Sequence, residues 1–229
     1  MLTSARARGR RPALILAAIA ALILPSALPA MAGVEPVILR VGEAQDVTSL
    51  NAYNSTLFSD YEVFTLNYDL LVGYDGESKP APGFASSWTQ DGTTWTFKIP
   101  TGSRTWSDGT PATAEDARWT LQTVLDIQAR DGYVGSGYLD PYLSYAGVTA
   151  ITSPDAETLV IETATPNSQI LTSYLPILPK HIWESREDLG TDANAAPVVG
   201  SGPYQAVEYK PGEYVRLVRN PEYWGKQGY

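Results

Sequence analysis

The first 32 residues constrain the fold most, because they predict the compartment in which the rest of the chain folds. An apolar run at residues 13 to 24 follows four arginines: Arg6, Arg8, Arg10 and Arg11. Basic residues before a short apolar run are typical of a signal peptide, and Ala30 and Ala32 predict cleavage after Ala32. The run is shorter than the about 20 residues that cross a bilayer, so we expect export without a membrane anchor.

The charge and the cysteine content narrow the possible functions. Removing the four leader arginines from 16 basic residues leaves 12 against 25 acidic ones, a formal charge of −13. Such a chain repels nucleic-acid phosphates, so a nucleic-acid role is not expected. The sequence has no cysteine, which excludes disulfides, thiol chemistry and an amino-terminal lipid on cysteine. We therefore expect a protein that is free in the periplasm and stabilised by a hydrophobic core. The twin arginines leave open whether export follows the general or the twin-arginine route.

The segment before residue 72 predicts a strand, a loop and a helix. Residues 37 to 41 form a β-branched apolar run, which favours a buried strand. The polar residues from 45 to 58 favour a loop. Asp60 is placed to cap a helix whose apolar residues recur at three- and four-residue spacings: Val63, Phe64, Leu66, Leu70 and Leu71.

Short runs separated by turn residues follow, and they predict an antiparallel sheet. Asp91-Gly92 stands between two such runs, and the alternation of Trp95 and Phe97 with polar residues indicates a half-buried hairpin. Thr113 and Asp116 have the spacing of a capping box before a helix. A second hairpin is predicted around residues 153 to 155, and a last strand pair between 204 and 218.

Four blocks of the chain resemble extracellular solute-binding proteins of family 5, which include the oligopeptide- and dipeptide-binding proteins of ABC importers. The blocks agree with that family in order and spacing, and they are LLVGYD at 70 to 75 with PAPGFASSW at 80 to 88, DGTTWTFKI at 91 to 99, WSDGTPATAED at 106 to 116, and GSGPY at 200 to 204 with RNPEYWG at 219 to 225. Most of these residues are turn formers, caps or core aromatics, so they define the family without marking a binding site.

The resemblance implies an α/β fold like that of the type II periplasmic binding proteins, with mixed sheets, flanking helices and two lobes in the full-length protein. Residues 33 to 68 and 166 to 229 would form a discontinuous first lobe, with a strand-rich subdomain inserted at 69 to 165. Family members are usually more than twice as long, so we expect a second major lobe to follow residue 229. The implied function is non-enzymatic: a monomer without a cofactor captures a peptide or another small solute and delivers it to a cognate ABC permease in the inner membrane.

The resemblance also suggests where the ligand binds. In the family, main-chain groups pair with an extended ligand much as a strand adds to a sheet edge. The loop of Ser55, Thr56, Leu57 and Phe58 occupies the position that offers such groups, and Tyr133 corresponds by spacing to an aromatic residue of the pocket. Peptide is the default ligand, although the family also includes proteins for oligosaccharides, nickel and opines.

Other kinds of chemistry have little support in the sequence. His181 is the only histidine, and its Pro-Lys-His-Ile-Trp context indicates a helix start rather than a catalytic group. Gly200-Ser201-Gly202-Pro203 lacks the lysine and spacing of a phosphate-binding loop, and no metal-binding motif is present. A secreted glycan-acting hydrolase stays open as the alternative, because acidic chains rich in Trp and Tyr often bind sugars and paired carboxylates can cleave them.

Overall fold

The computed structural model describes residues 37 to 55, 57 to 131, 147 to 172, 174 and 176 to 225. The chain divides into two compact units, Met1–Val41 and Gly42–Tyr229. In the first unit the described residues, 37 to 41, form no strand, and Val37 is 99% exposed. The predicted buried strand is therefore wrong. A β-branched run forms a strand only when a neighbouring strand supplies hydrogen bonds, and none pairs with these residues in the described part of the chain.

The second unit contains three helices, two 3₁₀ turns and eight strands among its described residues. In chain order they are α1 (Phe58–Asn67), β1 (Val72–Tyr74), β2 (Pro80–Pro82), β3 (Ser87–Asp91), β4 (Thr94–Lys98), a 3₁₀ turn (Thr101–Ser103), α2 (Ala114–Asp131), β5 (Val148–Asp155), β6 (Thr158–Thr163), a 3₁₀ turn (Gln169–Thr172), α3 (Lys180–Trp183), β7 (Tyr204–Lys210) and β8 (Tyr214–Arg219).

The largest sheet is antiparallel, with the strand order β3-β4-β6-β5. The Asp91-Gly92 turn joins β3 to β4 as predicted, with Asp91 opposite Thr94 and Gly92 at a φ of 59°, a conformation that glycine adopts without strain. Trp95 and Phe97 alternate with polar residues along β4, and both are buried. Trp95 lies opposite Ile161 and Phe97 opposite Leu159 on β6, and all four side chains are buried. The two central strands therefore contribute cross-strand pairs to the hydrophobic core.

Helix α2 packs against β5 and β6, and its start confirms part of the predicted capping box. The Asp116 carboxylate accepts hydrogen bonds from the backbone N–H of Thr113 at 2.8 Å and from its hydroxyl at 3.0 Å. The same carboxylate accepts the backbone N–H of Lys180 at 2.9 Å, which ties the start of α3 to the start of α2. The Asp116 side chain thus makes the half of the box that reaches back to the backbone N–H of Thr113, and the Thr113 hydroxyl donates to the same carboxylate.

Helix α1 begins and ends earlier than the sequence pattern predicts. Its N-cap residue is Leu57, so Asp60 lies inside the first turn and does not cap the helix. The helix ends at Asn67, because Tyr68 adopts an extended conformation and the carbonyl of Asn67 accepts the backbone N–H of Gly202 at 2.9 Å. Leu70 and Leu71 therefore lie beyond the helix, although Leu71 is buried in the core as its apolar character requires.

The turn at residues 200 to 203 fits tightly against this helix end. A Cβ atom on Gly200 would lie 2.0 Å from the carbonyl oxygen of Asn67, and one on Gly202 would lie 2.5 Å from that of Leu66. No side chain fits at either position without moving backbone, which explains both glycines. The Asn67 side-chain oxygen also accepts the backbone N–H of Ala206 at 2.9 Å, so the turn and β7 are fixed to α1 together.

Candidate functional site

The predicted ligand loop is organised by a buried carboxylate. Asp60 is fully buried and accepts hydrogen bonds from the Thr48 backbone N–H at 2.6 Å, the Thr48 hydroxyl at 2.9 Å and the Ser49 backbone N–H at 3.2 Å. The Ser55 hydroxyl donates to the same carboxylate at 2.7 Å. These four bonds attach residues 48, 49 and 55 of the loop to the first turn of α1.

The loop is also joined to a segment far along the chain. The side-chain amide of Asn51 donates to the carbonyls of Leu189 at 2.8 Å and Asp192 at 2.6 Å. In return, the side-chain amide of Asn194 donates to the carbonyl of Leu50 at 3.0 Å. Two buried asparagines thus donate hydrogen bonds to backbone carbonyls of the opposite segment.

A groove of about 890 Å³ opens beside this junction. Its walls are residues 48 to 50 and Asn54 from the loop, residues 190, 191 and 193 to 196, and residues 207 to 209 with Pro211 at the end of β7. The volume lies in the range of small-molecule sites. Tyr209 closes one side, where its hydroxyl donates to the carbonyl of Val47 at 2.6 Å.

The structure places the predicted site residues in different environments. Ser55 is buried and serves the loop itself through Asp60, so its side chain does not face a ligand. Leu57 is half-buried, and Phe58 is 60% exposed. The N-cap residue Leu57 makes no side-chain hydrogen bond to the helix that begins here, so the first backbone N–H groups have no side-chain cap from that position. Thr56 and Tyr133 lie outside the described residues.

Three tyrosines form a row next to Phe58. The rings of Tyr61 and Tyr174 meet edge to face with centroids 5.7 Å apart, and Tyr174 meets Tyr74 at 5.1 Å. Tyr61 lies three residues after Phe58 on α1, so the two side chains are neighbours on one helix face. Tyr174 keeps 40% of its surface exposed. The sequence analysis missed Tyr174, because its neighbours have no periodic pattern that would mark it.

A second buried carboxylate lies at the other end of α1. Asp69 accepts the Tyr223 hydroxyl at 3.1 Å and the Trp224 indole N–H at 2.7 Å, and the Arg104 guanidinium is 4.0 Å away. That guanidinium stacks over the Trp224 ring at 3.9 Å and donates to the carbonyl of Gly83. Burial raises the pKa of Asp69 to about 6, even though its three partners favour the charged form. This cluster explains the Tyr223-Trp224 block as a structural element.

Two further groups of ionisable side chains lie near the starts of α2 and α3. His181 lies in α3 as predicted and pairs through Nε2 with the carboxylate of Asp108 at 2.7 Å, while both side chains are about one-third exposed. Glu115 accepts hydrogen bonds from Arg118, Ser153 and Lys180, and the Arg118 hydrogen bond is the main reason that its pKa falls to about 2. The described residues include no group of three acidic, histidine or cysteine side chains arranged for a metal.

Among the described helices, none combines the length and apolar character needed to cross a membrane.

The sequence profile of the bacterial extracellular solute-binding proteins, family 5 Middle, matches residues 79 to 229. This match covers more than half of the chain, and the chain belongs to that family. A Brucella ovis protein with the provisional name ABC transporter peptide-binding protein is 31% identical over 167 residues, which are 69% of this chain and 30% of that protein. The resemblance inferred from the four sequence blocks is confirmed.

Solved structures share the fold. The oligopeptide-binding protein AppA of Bacillus subtilis, in complex with a nonapeptide, gives a TM-score of 0.66 at 22% identity over 81% of this chain and 36% of AppA. The binding protein MoaA of A. tumefaciens R10, in complex with mannopinic acid, gives 0.62 at 27% identity over 78% of this chain and 36% of MoaA. The predicted fold class, α/β and like the type II periplasmic binding proteins, is confirmed, and the chain spans about a third of the length of these relatives.

Proposed function

We propose that this protein captures a small solute, with peptide as the default, and presents it to the permease of an ABC importer. The family match carries the proposal, because the relatives reported above are named for peptide or solute binding. The hydrogen bonds that tie Thr48, Ser49 and Ser55 to Asp60 support it, since a segment that is ordered in advance loses less conformational entropy when its main-chain groups bind a ligand.

The loop favours backbone recognition over side-chain recognition. The hydroxyls of Thr48 and Ser55 are engaged with Asp60, the Ser49 hydroxyl with Asn54, and the Asn51 amide with distant carbonyls. We therefore assign recognition to main-chain groups at the start of α1 and to the exposed side chain of Phe58. Amides of this kind suit the carbonyl groups of an extended peptide, whatever its side chains are. The predicted ligand-binding residues, Ser55, Thr56, Leu57, Phe58 and Tyr133, stay part of the proposal, with Ser55 contributing its main chain.

We also propose the predicted division of the chain, with residues 33 to 68 and 166 to 229 as one lobe and 69 to 165 as an inserted subdomain. Hydrogen bonds from Asn51, Asn194 and Tyr209 between the early and late segments support it. Native-state hydrogen exchange tests it: amides of the two parts should open with two separate free energies. A single common value for all protected amides would contradict the division.

The proposed compartment is supported by the family and by the leader. The family is described as extracellular, and the proposed cleavage after Ala32 would release a free periplasmic protein. Its proposed partners are the solute and the cognate permease of the inner membrane.

Binding is tested by following the backbone NMR signals of the protein during titration with the tripeptide Ala-Ala-Ala. We expect shifts at residues 48 to 58, and we expect the peptide to remain intact. Asp60→Asn should weaken binding at least about tenfold, because an amide cannot accept all four donors of the loop. Asp75→Asn is the matched control, since Asp75 also accepts two backbone amides, at 2.8 and 2.9 Å, in an exposed turn away from the loop.

Two results would contradict the proposal. One is the absence of any shift in the loop at millimolar peptide. The other is hydrolysis of the peptide by the purified protein, which would favour an enzyme.

A further inference from the structure

The groove beside the loop lies between three chain segments that are hydrogen-bonded to one another. The side-chain amides of Asn51 and Asn194 join the loop to the segment after α3, and the Tyr209 hydroxyl joins the end of β7 to the carbonyl of Val47. A volume of about 890 Å³ stays open between these walls. The described residues of the proposed peptide site do not line it, so the groove is a separate feature of the molecule.

Three of the four hydroxyl side chains in the walls have already donated their protons inside the protein. They are those of Thr48, Ser49 and Tyr209, whose acceptors are Asp60 at 2.9 Å, Asn54 at 2.7 Å and the carbonyl of Val47 at 2.6 Å. A hydroxyl has one proton and two lone pairs, so these oxygens can only accept a hydrogen bond from a ligand. The walls therefore favour a ligand that donates hydrogen bonds.

The charge of the walls is negative. Glu208 is the charged residue among the described ones that line the groove, and they include no lysine, arginine or histidine. Its carboxylate accepts one hydrogen bond on each oxygen, from the hydroxyl of Tyr214 and from Nε of Arg216, both at 3.0 Å. These two bonds hold the carboxylate in place and leave further lone pairs on both oxygens.

Negative charge also acts on the neighbouring wall. Burial and the carboxylates of Asp46 and Asp60 raise the pKa of the Tyr209 hydroxyl, which donates its proton to Val47. Carboxylates that disfavour a tyrosinate would favour a cation at the same place. The hydrogen-bonding capacity and the charge of the groove thus point to the same kind of ligand.

We propose that the groove is a second binding site, which takes a small aliphatic amine in its ammonium form. An ammonium group donates three hydrogen bonds, accepts none and has the charge opposite to that of Glu208. Leu50, Val207 and Pro211 give the walls apolar surface for the methylene groups of such a ligand. The inference goes beyond the proposed function and does not depend on peptide capture.

Two ligands with the same carbon chain, 1,4-diaminobutane and 1,4-butanediol, test the inference in NMR titrations of the full chain. Millimolar diamine should shift the backbone signals of residues 190 to 196 and 207 to 210. The diol should bind at least about fivefold more weakly, because its hydroxyls cannot make a charge-assisted hydrogen bond to Glu208.

Two variants of one ion pair should change the affinity for the diamine in opposite directions. Glu208→Gln should weaken binding about fivefold, whereas Arg216→Ala should strengthen it about threefold, because the carboxylate then has no cation of its own. Damage to the fold would not produce opposite effects. Glu213→Gln is the matched control: it removes the same charge from the exposed turn of the same hairpin, outside the walls, and should change the affinity less than about twofold.

Each other outcome would overturn the inference. The absence of shifts in the groove at millimolar diamine would show that it is no site, and equal affinity for diamine and diol would show that it does not select an ammonium group. Equal weakening by Glu208→Gln and Glu213→Gln would indicate general attraction to an acidic surface. Displacement of the diamine by Ala-Ala-Ala would make the groove part of the peptide site. Peptide capture is read from a separate titration, so either proposal can fail alone.

Discussion

The indole N–H of Trp224 donates to the buried carboxylate of Asp69 over 2.7 Å, although 155 residues separate the two along the chain. The Arg104 guanidinium lies against the Trp224 ring and near the same carboxylate. A charge buried in this way is tolerated only with partners, and here a cation and two donors supply them. The cluster thereby fixes the end of α1, the segment around Arg104 and the last described residues to one another.

We predict that Asp69 makes the protein less stable at neutral pH than at mildly acidic pH. The pKa of Asp69 is about 6 in the folded protein, above its ordinary value of 3.8. The folded protein therefore binds the proton of the Asp69 carboxyl more tightly than the unfolded chain does. The stabilisation that results is fully present below the unfolded pKa of 3.8 and is lost as the pH rises through 6. Between pH 4.5 and 7.0 the loss amounts to about 2 kcal/mol in the free energy of unfolding.

Urea denaturation of the wild type and of Asp69→Asn at both pH values checks this prediction. The free energy of unfolding of the wild type, measured relative to that of Asp69→Asn, should be higher at pH 4.5 than at pH 7.0. A difference that does not depend on pH would show that Asp69 titrates normally.

Gly202→Ala should destabilise the protein by about 3 kcal/mol, because the added Cβ overlaps backbone atoms that cannot move independently. That Cβ would lie 2.5 Å from the Leu66 carbonyl oxygen and 2.7 Å from the Asn67 carbonyl carbon. Gly76→Ala is the control, since a Cβ there meets nothing within 4 Å. Thermal unfolding measures both, and equal midpoints for the two variants would contradict the close contact.

Asp116→Ala should cost more stability than Thr113→Ala. Removing the threonine hydroxyl costs about 1 kcal/mol, as for other helix-start residues. Removing the carboxylate costs about 2 to 3 kcal/mol, because Thr113 and Lys180 both lose an acceptor. The double variant should be about as stable as Asp116→Ala alone. Without the Asp116 carboxylate, the Thr113 hydroxyl has already lost its acceptor, so removing the hydroxyl costs little more. Additive costs in chemical denaturation would show that the two residues act independently.

The exported protein should begin at Gly33, because Ala30 and Ala32 provide the small residues that the peptidase requires. Mass spectrometry of the amino terminus of secreted protein measures this directly. Ala32→Phe should block cleavage and leave the leader attached. A start within residues 13 to 24, or soluble wild-type protein with an intact leader, would contradict the assignment.

Local features of the fold could be predicted from the sequence, and long-range ones could not. Asp91-Gly92 fixes a turn by its own backbone preference, and Thr113 with Asp116 fixes a helix start within one turn. In contrast, α1 stops at Asn67 because a turn more than a hundred residues later packs against it, and no local pattern encodes that contact. Residues 37 to 41 show the same limit, since their apolar character alone did not produce a strand.

The candidate site shows this division as well. The sequence drew attention to residues 55 to 58, through a family resemblance. It did not reveal that Asp60 would hold the loop, because an aspartate in the first turn of a helix also fits an ordinary cap. Tyr174 could not be found at all, since its role depends on contacts with two distant tyrosines.

The strand order of the large sheet has a consequence for the time course of folding. Strands β3 and β4 adjoin in the chain and can pair as soon as both are available, as can β5 and β6. The pairing of β4 with β6, however, brings together residues such as Lys98 and Thr158, which are 60 positions apart in the chain. Closing that loop costs chain entropy before any contact repays it. When the chain is synthesised from its amino end, β4 with Trp95 and Phe97 therefore lacks its partner β6 until about 60 further residues have been added, and the edge of the first hairpin stays open for that interval.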